Sequence, residues 1–269
     1  MLSIVVFACY LASAAWLASG AHRADESAAH GRRIAGLALG CVAALLHALV
    51  LWRSSLAAPF RWLGLAETAS LIGLAVSLIA LALAWLRPRF AALSAVLVAI
   101  AGAASLAGGV GHAEYALERQ NWEVGAHIVL STVAYAVLSV AAVLSVALAL
   151  LDRRLRRRRP LGWLAVLPSL EALDAATFHA LAAGVAILTL ALFSGFIFVE
   201  DLFGQHLFHK TVLSCLAWVV FAVLLFGRWR FGWRGRIATN WTIGGFALLA
   251  LAYFGAKFVL ESILGRHWS

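Results

Sequence analysis

Residues 125–151 read GAHIVLSTVAYAVLSVAAVLSVALALL, a stretch without an acidic side chain, a lysine or an arginine. A helix needs about 20 apolar residues to cross the hydrocarbon core of a bilayer, so this stretch is long enough to span it. Because unpaired backbone groups are too costly in lipid, the span is expected to be an α-helix. The 269-residue chain is 64% hydrophobic and 12% charged, whereas a soluble domain carries about 25% charged residues. The sequence therefore predicts an all-α, polytopic integral membrane protein.

Seven other stretches have a similar length and composition. The first of them along the chain, residues 2–19, is expected to be a retained helix and not a cleaved signal peptide, because it lacks a positively charged start and contains Tyr10 and Trp16. Residues 153–177 are predicted to form a cytoplasmic basic loop with a short interfacial helix. A single transmembrane domain over residues 1–269 is expected. Its eight predicted spans are approximately 2–19, 34–52, 66–86, 90–110, 125–151, 178–199, 209–227 and 240–264.

The distribution of basic residues predicts the orientation of the chain. Lysine and arginine are concentrated in the loops after the first, third, fifth and seventh spans. Since cytoplasmic loops carry this excess, both termini are predicted to lie on the outer, periplasmic side. The arginine-rich run at 153–159 directly follows an apolar span. We therefore expect it to bind anionic lipid, with the bilayer as its partner and no nucleic acid.

The loop between the sixth and seventh spans contains the densest group of ionisable residues. It reads EDLFGQHLFHK over residues 200–210 and includes Glu200, Asp201, His206, His209 and Lys210. Ionisable groups beside hydrocarbon are costly and usually functional. His206 and His209 would share one face of a helix and could hold one metal ion. Alternatively, His209 only begins the seventh span and His206 lies in solvent.

Other polar and aromatic residues are expected on the same side of the membrane. Trp122 belongs either to the aromatic belt found in most membrane proteins or to a hydrophobic shelf for a planar ligand. Lys257, in the eighth span, can pair with Glu261, reach Glu200 or meet an anionic ligand. Six of the nine histidines are expected at or near the outer surface: His47, His112, His127, His206, His209 and His267.

Enzymatic activity is not predicted. The chain has no H-E-x-x-H, no G-x-S-x-G and no phosphate-binding glycine loop. Its cysteines Cys9, Cys41 and Cys215 are isolated in apolar segments, so thiol-disulfide exchange is not expected either.

Three stretches carry a family resemblance: HIVLSTVAYAVLSVAAVL from His127, SGFIFVEDLFGQHLFHKTVLSCLAW from Ser194, and GRWRFGWRGRIATNWTIGGFALLALAYFG from Gly227. In these the chain resembles the heme-handling cytochrome c assembly proteins of the CcsA and CcmC type, and among them the eight-span YpjD-like and HemX-like branch. The resemblance implies that heme b is the cofactor. It also implies that outer histidines are axial ligands, with His127 in the first flanking position and His267 in the second.

The 200–210 loop corresponds to the heme platform of that superfamily. The W-G-x-x-W-x-W-D signature of the platform is absent here, since no tryptophan occurs between Trp163 and Trp218. Together with His127, the resemblance implies His209 as an alternative iron ligand, His206, Lys210 and Trp122 as further heme contacts, and Glu200, Asp201 and Lys257 as groups behind them.

Two functions are therefore predicted. The first is a non-enzymatic heme-binding protein of the bacterial inner membrane, acting in cytochrome c biogenesis with other assembly proteins. The second is an accessory protein for divalent-cation efflux, binding the cation through the acidic residues and histidines of 200–210. The spans have few polar residues near their centres, which counts against a permeation path.

Overall fold

The computed structural model describes residues 2–21, 26–53, 65–107, 122–198 and 208–255. Every regular element in these ranges is helical, and no strand occurs among them. Short 3₁₀ helices occupy Pro88–Phe90 and Gly162–Val166, and a π-helical turn at Leu251–Gly255 continues the last helix. The eight α-helices are α1 (Leu2–Ala21), α2 (Glu26–Leu51), α3 (Leu65–Leu86), α4 (Ala91–Ala107), α5 (Trp122–Arg156), α6 (Leu170–Phe198), α7 (Phe208–Phe231) and α8 (Arg236–Ala250).

In the described part of the chain, eight helical segments are long and apolar enough to cross a membrane. The prediction of an all-helical, multi-pass membrane protein is thereby confirmed. The orientation of the termini stays a prediction.

The chain divides into two compact units, so the single transmembrane domain also stays a prediction. Unit 1 comprises Met1–Leu117 and Arg154–Ser169. In it α1 packs against α2 and α4, and α3 packs against the same two helices, which gives a four-helix bundle. Small residues permit the close approach: a Cβ at Gly102 of α4 would lie 2.9 Å from the Cβ of Tyr10 on α1.

Unit 2 comprises Glu118–Arg153 and Leu170–Ser269. Its helices are α5 to α8, with α7 packed against both α6 and α8. Helix α6 meets α5 where a Cβ at Gly184 would lie 2.7 Å from a methyl group of Leu138. The hydroxyl of Tyr135 on α5 donates a hydrogen bond to the Leu249 carbonyl of α8 at 2.7 Å, and this bond ties α8 to the unit.

Helix α6 differs from the sequence prediction at its start. It begins at Leu170, eight residues before the predicted span at 178, and continues without a break, so the short helix predicted to lead into the sixth span is the start of α6 itself. The reason is tertiary: Asp174 in its second turn forms an ion pair with Arg228 of α7, with 2.7 Å between Oδ2 and Nη2. The Arg228 guanidinium also lies 4.3 Å from the ring centre of Phe178, one turn further along α6. These contacts hold the first turns of α6 against α7.

Candidate functional site

Among the described residues, two groups of polar side chains connect neighbouring helices, one in each unit. The Tyr10 cluster of unit 1 consists of Tyr10, His47, Ser70 and Ser77, all of them 0% exposed. The Tyr10 hydroxyl lies 3.3 Å from His47 Nδ1 and 3.0 Å from Ser77 Oγ. His47 Nε2 lies 2.8 Å from Ser70 Oγ. The cluster therefore links helices α1, α2 and α3.

The hydrogen bonds of the Tyr10 cluster run in one direction. Ser77 donates its only hydroxyl proton to the Leu74 carbonyl at 2.7 Å, so it accepts the proton of the Tyr10 hydroxyl. Tyr10 must then accept from Nδ1 of His47, which places the ring proton on Nδ1. Nε2 is consequently the acceptor, and Ser70 donates to it.

This arrangement leaves no ring nitrogen of His47 for a ligand. Both nitrogens have hydrogen-bond partners, the ring has no exposed surface, and the chain of bonds ends at a helix carbonyl that cannot carry a proton further. A buried polar network satisfied in this way fixes the packing of its helices. The Tyr10 cluster is therefore structural.

The second group, in unit 2, surrounds His127 in the second turn of α5. Its Nδ1 lies 3.0 Å from Ser194 Oγ on α6, and its Nε2 lies 3.4 Å from Ser131 Oγ one turn along α5. The ring rests against α6 at Gly195, where a Cβ would approach its Cε1 to 3.1 Å. Glycine at this position lets the imidazole lie directly on the α6 backbone.

The tautomer of His127 follows from its partners. Ser194 donates its hydroxyl proton to the Ala191 carbonyl at 2.8 Å, so at the ring it can only accept. Nδ1 of His127 therefore carries the proton, and the lone pair is on Nε2. Among the described residues, Nε2 has a hydrogen-bond contact with Ser131, and its length is near the limit for a hydrogen bond. A histidine held by its Nδ1 proton with Nε2 turned to a weak partner has the arrangement of a metal-binding imidazole.

A lysine and two tyrosines lie on the neighbouring helices of unit 2. Lys210, in the first turn of α7, places its Nζ 4.4 Å from the ring centre of Tyr253. It is also close enough to interact electrostatically with the His127 ring. Tyr253 meets the ring of Tyr135 edge to face, with 6.2 Å between centres. These residues, with Ser131, Ser194 and Gly195, form what we call the His127 cluster.

Tyr253 lies in the π-helical turn Leu251–Gly255, where one extra residue is accommodated at the end of α8. Such turns occur frequently at functional sites. Neither this turn nor Ser194 was singled out from the sequence. A tyrosine within an otherwise apolar span is the signal that could have drawn attention to Tyr253.

The structure describes only some of the predicted site residues. His127 and Lys210 lie in the same cluster, while the Trp122 side chain, at the start of α5, is 76% exposed. The backbone of His209 belongs to the first turn of α7, but its side chain lies outside the described residues. In the ranges that the structure describes, no group of three or more His, Cys, Asp or Glu side chains is placed to hold a metal ion. Outside these ranges lie Glu200, Asp201, His206, Lys257 and His267, whose roles at a heme site stay predictions.

Comparisons with known proteins give a consistent result. The family described as "Cytochrome C assembly protein" matches residues 36–264. The chain is 38% identical over 137 residues to "Inner membrane protein YpjD" of Escherichia coli (strain K12), which covers 51% of this chain and 52% of that protein. It is 28% identical over 131 residues to "Protein HemX" of Brevibacillus brevis, covering 48% of each. It is 25% identical over 173 residues to "Cytochrome c biogenesis protein CcsA" of Synechococcus sp. (strain CC9902), covering 56% and 57%.

The chain spans about half the length of the curated relatives it matches. No solved structure matches it.

Proposed function

This chain belongs to the cytochrome c assembly protein family, and from that membership we propose that it is a non-enzymatic, heme-binding membrane protein acting in cytochrome c biogenesis. The observation that carries the proposal is the state of His127, whose Nδ1 is held by Ser194 while Nε2 keeps its lone pair. The name of the YpjD relative supports a bacterial inner-membrane location, and other assembly proteins are the proposed partners.

The chemistry of the His127 cluster fits heme b. Imidazole is a common axial ligand of heme iron, and ligand identity is one of the means by which a protein tunes the iron. His127 would hold the heme iron through Nε2. Ser194 would hold the ring orientation from the opposite side, and Tyr253 and Tyr135 supply aromatic side chains in the same unit. His209 or His267 remains the proposed second ligand.

The proposal is tested by the optical spectrum of the full chain, purified from cells supplied with heme. We expect a Soret band in the wild type and its loss in His127→Ala. Ser194→Ala should weaken heme binding by about 10- to 100-fold, because a partner that orients a ligating histidine contributes that much to affinity.

His179→Ala is the matched control. His179 is exposed on α6, fifteen residues before Ser194, or about 22 Å along the helix. It should retain the full Soret band. Absence of the band in the wild type, or an unchanged band in His127→Ala, would refute the proposal.

The alternative function, an accessory role in divalent-cation efflux, rests on Glu200, Asp201, His206 and His209. Three of these lie outside the described residues, and the His209 side chain does too. Metal analysis of the purified chain, with and without substitution of both histidines by alanine, separates the two functions. Bound divalent cation that disappears in the double variant would support the alternative.

A further inference from the structure

A groove with a volume of about 570 Å³ lies between α2 and α3 of unit 1. The side chains that line it carry no charge, and they include Ile34, Ala38 and Cys41 of α2 and Leu78, Ala82 and Trp85 of α3. The groove is open, since the Leu78 and Trp85 side chains are 55% and 63% exposed. Either a hydrocarbon chain or another helix could fill an apolar groove in a membrane, so the residues at its ends decide between them.

The two helices that form the groove run antiparallel. Nε2 of His47 on α2 lies 2.8 Å from Ser70 Oγ near the start of α3. Closer to the start of α2, a Cβ at Gly40 would lie 2.5 Å from a methyl group of Leu81, near the end of α3. The start of α2 and the end of α3 therefore meet at the same end of the groove.

That end of the groove is basic. Arg33 directly precedes the lining residue Ile34, and Arg87 directly follows the lining residue Leu86. The Arg33 side chain is half-buried, whereas Arg87 and the nearby Arg89 are exposed. Guanidinium groups from both helices thus border the point where the groove ends.

Hydrogen bonds define the positions of two of these arginines. The amide of Arg87 donates to the Leu83 carbonyl at 2.8 Å in the last turn of α3, and its carbonyl accepts from the Phe90 amide at 2.8 Å. On α2, a terminal nitrogen of Arg33 donates to Nδ1 of His30 at 3.3 Å. The ring proton of His30 is therefore on Nε2, which adds a further donor at this end.

The charge at this end favours an anionic occupant. Residues 26–41 and 78–90, which border the groove, contain four arginines and one acidic residue, Glu26. The end is also the one predicted to be cytoplasmic, where the leaflet carries anionic lipids and basic residues between helices bind their headgroups. A symmetric second copy of the chain would bring the same arginines to the same membrane depth, where like charges repel.

We propose that the groove binds an acyl chain of an anionic phospholipid whose phosphate is held by Arg33 and Arg87. The guanidinium group donates two parallel hydrogen bonds that match the spacing of phosphate oxygens. Trp85 lies near the predicted membrane surface, where tryptophan is enriched. The site shares no residue with the His127 cluster, so a failed heme test would leave it unaffected.

Quenching by brominated lipids tests the site, because bromine on an acyl chain quenches tryptophan only at short range. The full chain is placed in phosphatidylcholine nanodiscs with increasing brominated phosphatidylglycerol or, for comparison, brominated phosphatidylcholine with the same acyl chains. The contribution of Trp85 is the difference between each protein and its Trp85→Phe counterpart. We expect half-quenching of Trp85 at a mole fraction about tenfold lower for phosphatidylglycerol, since each arginine near the surface attracts anionic lipid.

Two pairs of double variants test the role of the arginines. Arg33→Met combined with Arg87→Met should remove the preference for phosphatidylglycerol, whereas lysine at both positions should retain it. Arg230→Met combined with Arg234→Met is the matched control, because it removes two exposed positive charges from unit 2. The control should keep the preference, which excludes a general effect of net charge.

A further pair of variants tests the groove without changing any charge. Ala38→Leu narrows the groove and should reduce quenching by phosphatidylglycerol to the level of phosphatidylcholine. Ala35→Leu is the control, because Ala35 is exposed on the same helix but does not line the groove. It should behave like the wild type.

Equal quenching of Trp85 by the two lipids in the wild type would indicate ordinary surrounding lipid and would overturn the proposal. Weak quenching by both would indicate that protein covers the groove, and it would overturn the proposal as well. A preference that survives removal of both arginines, or survives Ala38→Leu, would contradict the assigned headgroup or acyl-chain contact.

Discussion

Removing the hydroxyl of Tyr10 should destabilise unit 1 by about 1–2 kcal/mol. The hydroxyl accepts from Nδ1 of His47 at 3.3 Å and donates to Ser77 at 3.0 Å, and all three side chains are 0% exposed. Tyr10→Phe therefore leaves one buried N–H without an acceptor. An orphaned buried donor costs about 1–3 kcal/mol. Polar contacts between membrane helices average nearer about 0.6 kcal/mol, which favours the lower part of that range.

The direction of the hydrogen bonds prevents an easy repair. His47 would relieve its Nδ1 only by moving the ring proton to Nε2, where the Ser70 hydroxyl now donates. Ser70 would then have to turn its proton away. Because one rearrangement forces another, the expected loss exceeds that of a single neutral hydrogen bond between membrane helices.

The free energy of unfolding in mixed detergent micelles, followed by helical circular dichroism, measures the effect. Tyr135→Phe in unit 2 is the matched control, since its hydroxyl only donates to the Leu249 carbonyl at 2.7 Å. That variant removes one hydrogen bond from the Leu249 carbonyl but leaves no donor without an acceptor. It should therefore cost less than about 1 kcal/mol. If Tyr10→Phe matched the wild type or cost less than Tyr135→Phe, the directed chain of bonds would be wrong.

Three further predictions test packing and the heme site. Gly245→Ala should destabilise unit 2 by about 1–3 kcal/mol, because the new Cβ would lie 2.7 Å from a phenylalanine ring of α7. Gly244→Ala is the control, because a Cβ there has no other atom within 4 Å. It should be neutral or stabilising by up to about 1 kcal/mol. Unfolding in the same micelles compares them, and shifts of the same sign would contradict the α7–α8 packing. Asp174→Asn should lower the stability of unit 2 by about 1–2 kcal/mol, because it weakens the partly exposed ion pair with Arg228 of α7. The effect is measured as a lower midpoint of thermal unfolding, and an unchanged midpoint would show that the pair does not stabilise α6. Gly195→Ala should lower heme occupancy, because the added Cβ would displace the His127 ring. Occupancy is measured as Soret absorbance per protein, and full occupancy would count against a role for that ring.

The sequence by itself determined that this chain is a set of membrane-spanning helices. Length and hydropathy are local properties, and a segment in lipid must satisfy its backbone hydrogen bonds within itself, so each span could be predicted without knowing its neighbours. The joining of the predicted interfacial helix and the sixth span into one continuous helix could not, because the first turns of α6 are held by the contact of Asp174 with Arg228 of another helix.

The candidate site divides in the same way. His127 and Lys210 were named from the sequence because ionisable residues stand out against apolar spans. Ser194 was not predicted to be a site residue, since nothing local distinguishes it from other serines in helices. Tyr253 was missed although it is a tyrosine within an otherwise apolar span.

Only the tertiary structure separated two histidines that the sequence treated alike. Both were predicted near the outer surface. In the structure, Nδ1 of His47 is hydrogen-bonded to Tyr10, 37 residues away in the sequence, and its Nε2 is hydrogen-bonded to Ser70. His127 is oriented by a serine 67 residues away, and its Nε2 is left with a long contact. The physical reason is that hydrophobic periodicity determines which face of a helix is buried, whereas hydrogen-bond partners depend on which helices meet there.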